Sequence, residues 1–131
     1  MFGTILFVLA ILILFVLAYV RFAPVAATAG PGRPEAQPVG TYRSEGGFYA
    51  VVSTETHDLA KLEAAIMTWP KARKMEEGLY LTRSPAIRFP DLVHVWQEDG
   101  LIHISAHLIY GRKDFGANRA RVEQWLAAAT N

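Results

Sequence analysis

Hydrophobic and polar positions divide the chain into an apolar run and a longer mixed region. Eighteen of the first 20 residues are apolar, and all 25 charged residues come after position 20. The uninterrupted run from Phe2 to Val20 would span about 28 Å as a helix, which matches the hydrocarbon core of a bilayer. Tyr19 and Arg21 stand at its end, where aromatic and basic side chains are typical of the membrane boundary. We therefore predict a single transmembrane helix and assign residues 1–21 to a membrane anchor.

A cleaved signal peptide is the alternative for this run, because Ala27-Thr28-Ala29 has the small residues of a cleavage site. However, the run is longer than the usual apolar region of a signal peptide, about 7–15 residues, and no Lys or Arg precedes it. An uncleaved anchor is therefore favoured.

Residues 22–40 are rich in Ala, Pro and Gly and show no hydrophobic period. This composition predicts a semi-extended linker that could hold the next domain tens of ångströms from the bilayer. Residues 41–131 are numerous enough to bury a core, so we expect them to form a domain that folds alone.

Periodic patterns in residues 41–131 predict four strands and two helices. Asp99-Gly100 lies between the last two strands, and this dipeptide is a strong signal for a two-residue hairpin turn. The order β-α-β-β-β-α predicts an α+β fold, in which a small antiparallel sheet has two helices packed on one face. The predicted elements are a strand at Phe48–Ser53, a helix capped by Thr56 or Asp58 and ended by Pro70, strands at Leu79–Arg83, Asp91–Glu98 and Leu101–Tyr110, and a final helix capped by Asn118.

Composition narrows the possible functions. A net charge of +1 argues against a nucleic-acid-binding protein, whose binding surface is normally strongly basic. The absence of Cys excludes a disulfide framework, a thiolate metal site and a thiol nucleophile.

Two sequence motifs flank the predicted hairpin. The first is Phe89-Pro90-Asp91, and the second is Gly111-x-x-Asp114-x-Gly116-x-Asn118-Arg119-x-Arg121-Val122. Together they resemble the signature of the domain of unknown function 1499 family, and the resemblance is good over residues 80–126. It implies an α+β domain that is often exported and tethered, but no activity, since the family is uncharacterised. This chain has Ala106, Leu108 and Ile109 where the family usually carries Ser and Arg, so the resemblance implies no chemistry of those groups here.

The second motif can be interpreted as a structural turn before a helix. Gly111 and Gly116 suit positive-φ or tightly packed positions, and the Asn118 side chain can accept hydrogen bonds from the first helical amides. Asp114 can cap the turn or pair with a following arginine. This interpretation treats Gly111, Asp114, Gly116 and Asn118 as structural residues.

An anion-binding site is the alternative interpretation of the same motif. Two arginines in the first helical turn oppose the positive end of the helix dipole, so an anionic group should offset them. Asp114, Glu123 or solvent can do this, but a bound anion such as a lipid phosphate also can. The candidate ligands are Arg112, Lys113, Asn118, Arg119 and Arg121.

The histidines of the hairpin form a second candidate site. A two-residue turn at Asp99-Gly100 places His94, His103 and His107 on one face of the sheet, where three imidazoles could ligate zinc or copper. The alternative is that they lie on a face that is exposed to solvent or partly covered, since Trp96 shares that face.

For enzyme chemistry the sequence offers little, because no nucleophile elbow, phosphate-binding loop, dinucleotide-binding glycine pattern or paired carboxylates stand out. We interpret the chain as a non-enzymatic accessory or interaction domain without a cofactor, associated with an inner-membrane complex. The alternative is an anion- or lipid-headgroup-binding module at residues 111–121, and a small hydrolase is a weaker alternative. The expected partners are the membrane, through residues 2–20, and a membrane-protein complex or anionic lipid, with no nucleic acid.

The expected location is the bacterial inner membrane, with one membrane pass and a periplasmic domain. The family resemblance and the Ala- and Pro-rich linker favour the periplasm. A cytoplasmic domain is the alternative, because Arg21 and Arg33 follow the apolar run and basic residues tend to stay inside.

Overall fold

The computed structural model describes all residues from 1 to 131 and contains three helices and six strands. The fold class predicted from the sequence, α+β with an N-terminal apolar helix, is confirmed. The elements are α1 (Phe2–Phe22), β1 (Gly40–Ser44), β2 (Gly47–Ser53), α2 (Leu59–Met67), β3 (Arg73–Glu76), β4 (Leu79–Arg83), β5 (Pro90–Glu98), β6 (Leu101–Leu108) and α3 (Ala117–Ala128).

All six strands form one antiparallel sheet in the order β1-β2-β6-β5-β4-β3. The hairpin between β5 and β6 turns at Asp99 and Gly100, which have φ of 52° and 75°. Trp96 therefore lies opposite His103, and His94 lies opposite Ser105, in the register that a two-residue turn predicts.

The predicted order of elements lacked the two edge strands, β1 and β3. Both are short, polar and mostly exposed, and β3 has an irregular register with β4 between Lys74 and Glu76. An edge strand packs against few neighbours, so it needs no strict alternation of apolar residues and gives little sequence signal.

The first domain helix is capped as predicted but is shorter than predicted. The Asp58 carboxylate accepts a hydrogen bond from the Lys61 amide at 2.9 Å. The helix α2 ends at Met67, before Pro70, because Thr68 takes the C-cap position and its hydroxyl donates to the Ala65 carbonyl. Trp69 therefore lies beyond the helix, where it packs edge-on against Trp125.

One face of the sheet, here called the helix face, is covered by α2 and α3. Alternate residues of the central strands point into this layer and meet the apolar sides of both helices. The buried core consists of Phe48, Ala50, Leu62, Ala65, Ile66, Tyr80, Val93, Val95, Ile102, Ile104, Ala106, Val122, Trp125 and Ala129.

The opposite face, here called the linker face, is partly covered by residues 23–39, which contain no helix or strand. Val25 is buried against Leu79, Leu81 and Leu92. The Arg33 guanidinium lies over the Trp96 ring, 4.6 Å from its centroid. The linker therefore runs along the sheet, whereas its composition predicts a spacer that holds the domain away from the bilayer.

The apolar helix α1 contacts the domain at its C-terminal end. The Arg83 guanidinium, on β4, donates to the carbonyls of Val20 at 2.9 Å and Ala23 at 3.3 Å. The Tyr19 ring lies 6.4 Å from that of Tyr110. Almost all of the most apolar part of α1 is exposed, and by length and composition α1 could cross a membrane or act as a signal sequence.

Candidate functional site

A buried polar cluster, formed by Asp91, Asn118 and Arg121, joins the two sequence motifs. Arg121 Nη1 lies 2.8 Å from Asp91 Oδ2, and Asn118 Nδ2 donates to Asp91 Oδ1 at 3.2 Å. All three residues are less than 10% exposed. Each oxygen of the carboxylate thus accepts a hydrogen bond from a side chain of α3, and the cluster connects β5 to α3.

The local sequence explains why these charged groups face inward. Asp91 alternates with Val93 along β5, so both side chains point to the helix face. Asn118 and Arg121 are three residues apart and lie on the inner side of α3, one turn before Trp125. A buried ion pair is stabilising only when its remaining polar atoms are also bonded.

Further contacts surround the Arg121 guanidinium. Its Nη1 lies 3.4 Å from the Thr82 hydroxyl oxygen, and its central carbon lies 5.4 Å from the centroid of the Trp69 ring. On the other side of the cluster, the Asn118 side-chain oxygen is buried without a hydrogen-bond partner. Arg121 is therefore committed to internal contacts and is not available to a bound anion.

The start of α3 is organised by Asp114. Its two carboxylate oxygens accept from the amides of Gly116 at 3.0 Å and Asn118 at 3.1 Å. Gly116 holds the N-cap position with a φ of 81°, a conformation that a residue with a Cβ adopts only with strain. The expectation that Asn118 caps the helix is wrong, because its side chain points to Asp91 and Asp114 accepts the helical amides instead.

The remaining basic residues of the motif lie at the surface. Arg119 forms an exposed ion pair with Glu123, with 2.8 Å between Nε and Oε1. Arg119 and Lys113 also line an open cavity of about 380 Å³ together with Arg43, from β1. This pocket, here called the outer cavity, combines three cations with Glu45 and Asp114. Arg112 is exposed but does not line it.

The structure separates the five candidate anion ligands. Lys113 and Arg119 share the outer cavity, Arg112 lies outside it, and Asn118 and Arg121 lie in the buried cluster. No anion site made of all five residues exists in this arrangement.

The three hairpin histidines lie on the linker face but do not form a metal-binding group. No set of three or more His, Cys, Asp or Glu side chains lies close enough to hold a metal ion. His107 Nδ1 lies 2.7 Å from the Leu108 carbonyl oxygen. His103 Nδ1 lies 2.6 Å from the Tyr49 hydroxyl oxygen, so both rings are engaged elsewhere.

His103 belongs to an aromatic stack under the linker. Its ring lies 4.7 Å from that of Trp96 with an angle of 5° between the planes, and Tyr49 stacks beside both rings. The Gln37 amide donates to the Tyr49 oxygen, so the phenol hydrogen is free to be donated to His103 Nδ1. Burial raises the pKa of Tyr49 and lowers the pKa of His103 and His94, and all three groups are therefore neutral at pH 7.

Sequence comparison identifies the class of protein to which this fold belongs. Residues 35–128 match the family described as "Protein of unknown function (DUF1499)". Because the match covers more than half of the chain, the protein belongs to the domain of unknown function 1499 family, as its two motifs indicate. No curated protein and no solved structure matches the chain.

The ion pair of Asp91 with Arg121 is not among the residues predicted above, although the sequence carries a signal for it. An acidic residue at an inward position of a strand and a basic residue on the inward side of a helix together predict a buried pair. Arg83 and Arg43 are also absent from those predictions, and they carry no comparable signal. Arg83 binds the C-terminal end of α1, and Arg43 lines the outer cavity with Lys113 and Arg119. In both cases the partners are distant in sequence.

Proposed function

We propose that this protein is a non-enzymatic accessory domain anchored in the bacterial inner membrane, where it contacts a membrane-protein complex. The observation that carries the proposal is the contact between Arg83 and the end of α1. The last carbonyls of a helix lack partners within the helix, so a guanidinium that binds two of them joins the helix to the domain. A domain joined in this way presents a defined surface at a fixed distance from the bilayer.

The use of the motif residues supports the non-enzymatic part of the proposal. Asp91, Asn118 and Arg121 bond one another, and Asp114 bonds the first amides of α3. These groups stabilise the fold, and although Asp91, Asp114 and Arg121 also line a cavity, each is already bonded within the protein. The proposal therefore assigns binding, and not turnover, to this domain.

Co-purification in mild detergent tests the accessory function. The full chain should retain a membrane-protein partner, and Arg83→Ala should reduce that retention because the domain loses its fixed position. Arg73→Ala is the matched control, since Arg73 is an exposed cation of the neighbouring strand β3 that makes no hydrogen bond to α1. A lone monomer in every detergent and growth condition would overturn the proposal.

A periplasmic location is the second part of the proposal, and it rests on the linker composition and the family resemblance. A fusion after Asn131 to a reporter that is active only outside the cytoplasm should be active. The domain should also be digested when spheroplasts are treated with protease. A silent reporter together with a protected domain would place the domain in the cytoplasm and exclude any periplasmic partner.

Anion binding in the outer cavity is the second candidate function. The specific observation is that Arg43, Lys113 and Arg119 line one open pocket. Titration of the full chain with inorganic phosphate should shift the amide NMR signals of residues 113–119, and the shifts should weaken with added salt. Arg119→Ala should abolish them, whereas Arg112→Ala should not, because Arg112 lies outside the cavity. Shifts that are absent, or identical in the two variants, would exclude this candidate.

A further inference from the structure

A second cavity, here called the membrane-side cleft, lies between α1 and the domain and has a volume of about 530 Å³. Its walls are mostly apolar. One wall is the end of α1, and the others come from the loop before β5, the end of β6 and the loop before α3. The residues that line the apolar part are Val16, Val20, Phe89, Leu108, Tyr110, Phe115 and Ala117.

The position of the cleft along α1 relates it to the bilayer. Val16 lies one helical turn before Val20, about 6 Å further from the domain end of α1. Phe115 lines the same cleft as Val16, so the loop before α3 extends alongside the apolar part of α1. If α1 spans the membrane, this loop reaches the level of the lipid, and the cleft opens sideways into the bilayer.

The exposure of the loop residues fits an apolar environment. Phe115 is 92% exposed and has a φ of 54°, an unfavourable conformation for a bulky residue. Phe89 and Ile87, in the loop before β5, are also exposed. Large apolar side chains on neighbouring loops are typical of a surface that contacts a partner or a membrane.

The charges of the cleft are compatible with an anionic headgroup. The charges of Asp91 and Arg121 neutralise each other, and both carboxylate oxygens of Asp114 accept hydrogen bonds from backbone amides. Lys113, which lines the cleft, is exposed and forms no salt bridge. Lys113 is therefore the one cation among the lining residues of the cleft that has no acidic partner.

We propose that the membrane-side cleft binds one anionic phospholipid that enters sideways from the bilayer. An acyl chain lies along α1 against Phe89 and Phe115, and the phosphate binds Lys113. This inference rests on the proposed membrane anchoring of α1. It differs from anion binding in the outer cavity, because the apolar wall selects an acyl chain and Arg119 takes no part.

Site-directed spin labelling of the full chain in nanodiscs tests the position of the cleft. The chain contains no Cys, so a single introduced Cys carries the only label. A nitroxide at Phe115→Cys should be accessible to oxygen and protected from a water-soluble relaxation agent, as expected in lipid. A nitroxide at Glu55→Cys, in the turn after β2, should show the opposite behaviour.

A label at Leu9→Cys, in the middle of α1, distinguishes the two proposals. Lipid exposure at position 9 with water exposure at position 115 would overturn the lipid cleft and leave the anchor intact. Water exposure at position 9 would overturn the membrane anchor itself, and the lipid cleft with it.

Native mass spectrometry of the protein released from the nanodiscs tests the ligand. In discs that mix phosphatidylglycerol with phosphatidylcholine, the protein should retain one phosphatidylglycerol. Lys113→Ala should lower that retention roughly fivefold, the effect of one basic side chain at an anionic surface. Lys61→Ala, which removes an exposed lysine that lines neither cavity, should leave it unchanged. No retained lipid, or equal retention of the two lipids, would overturn the proposal.

Discussion

The two faces of the sheet are built from the same strands but are covered in different ways. The helix face is closed by α2 and α3 around a core of 14 buried residues. The linker face is closed in part by residues 23–39, and its buried residues form two small clusters of four and three residues. The linker face also contains His94 and His103, whereas the core of the helix face contains no histidine.

Alternation of apolar and polar residues along a strand therefore does not determine what covers each face of the sheet. A helix presents an apolar stripe and satisfies its own backbone, so it closes a face with many contacts. An irregular segment closes a face only where single side chains fit, as Val25 and Arg33 do here. We therefore expect the helix face to dominate the stability of the domain and the linker face to contribute less.

The largest effect is expected from truncating Trp125, on the helix face. Trp125→Ala should lower the free energy of unfolding by about 3–5 kcal/mol, because rigid helices cannot close the space it leaves. Trp96→Ala is the matched change on the linker face. It should lower the free energy of unfolding by less, because the linker can move into the space that the side chain leaves. Urea unfolding of the full chain in detergent, followed by near-ultraviolet circular dichroism, measures both. An equal or larger loss for Trp96→Ala would contradict the comparison.

A slightly smaller effect is expected at the buried cluster of the helix face. Asp91→Ala should destabilise the domain by about 3 kcal/mol, because it leaves the Arg121 guanidinium buried without its partner. The double variant Asp91→Ala with Arg121→Met should recover most of this loss, since an apolar pair removes the buried charge. The same unfolding experiment applies. If the single and double variants were equally unstable, the loss would not come from the unpaired guanidinium.

A small effect is expected from the contact that holds the linker. Arg33→Ala should lower the free energy of unfolding by about 0.5–1 kcal/mol, the usual range for an exposed cation–π pair. Hydrogen exchange of the Gln37 amide, which donates to Tyr49, should also accelerate. Arg33→Lys should retain part of both properties. A loss above about 2 kcal/mol would mean that the linker stabilises the domain more than this comparison allows.

The pH dependence of stability should also come from the linker face. Burial lowers the pKa of His94 and His103 below the ordinary value of 6.5, so protons bind to the unfolded chain first. The free energy of unfolding should therefore be constant from pH 7 up to the range in which tyrosines ionise, and fall as the pH decreases below 6.5. Replacing both residues with Gln should flatten this slope. If the slope remained after the double replacement, the pH dependence of stability would come from other groups.

Some of the site could be predicted from particular residues, and some could not. Asp99-Gly100 and the alternation around it were sufficient for the hairpin register, because turn chemistry and strand period are local properties. Arg112, Lys113, Arg119 and Arg121 are equivalent cations in the sequence. That Arg121 joins the buried cluster while Lys113 and Arg119 line the outer cavity depends on where Asp91 and Arg43 lie in the folded chain.

The sequence by itself determined the apolar helix, the α+β class, the central strands and the family, because each follows from composition, periodicity or a short motif. Three features became visible only in the folded chain: the linker lies on the sheet, Arg83 binds the end of α1, and Asp114 caps α3 in place of Asn118. The physical reason is that hydrophobic periods repeat over a few residues. Hydrogen bonds and ion pairs instead require two groups within about 3 Å of each other. Residues that are distant in sequence reach this separation only when the chain folds.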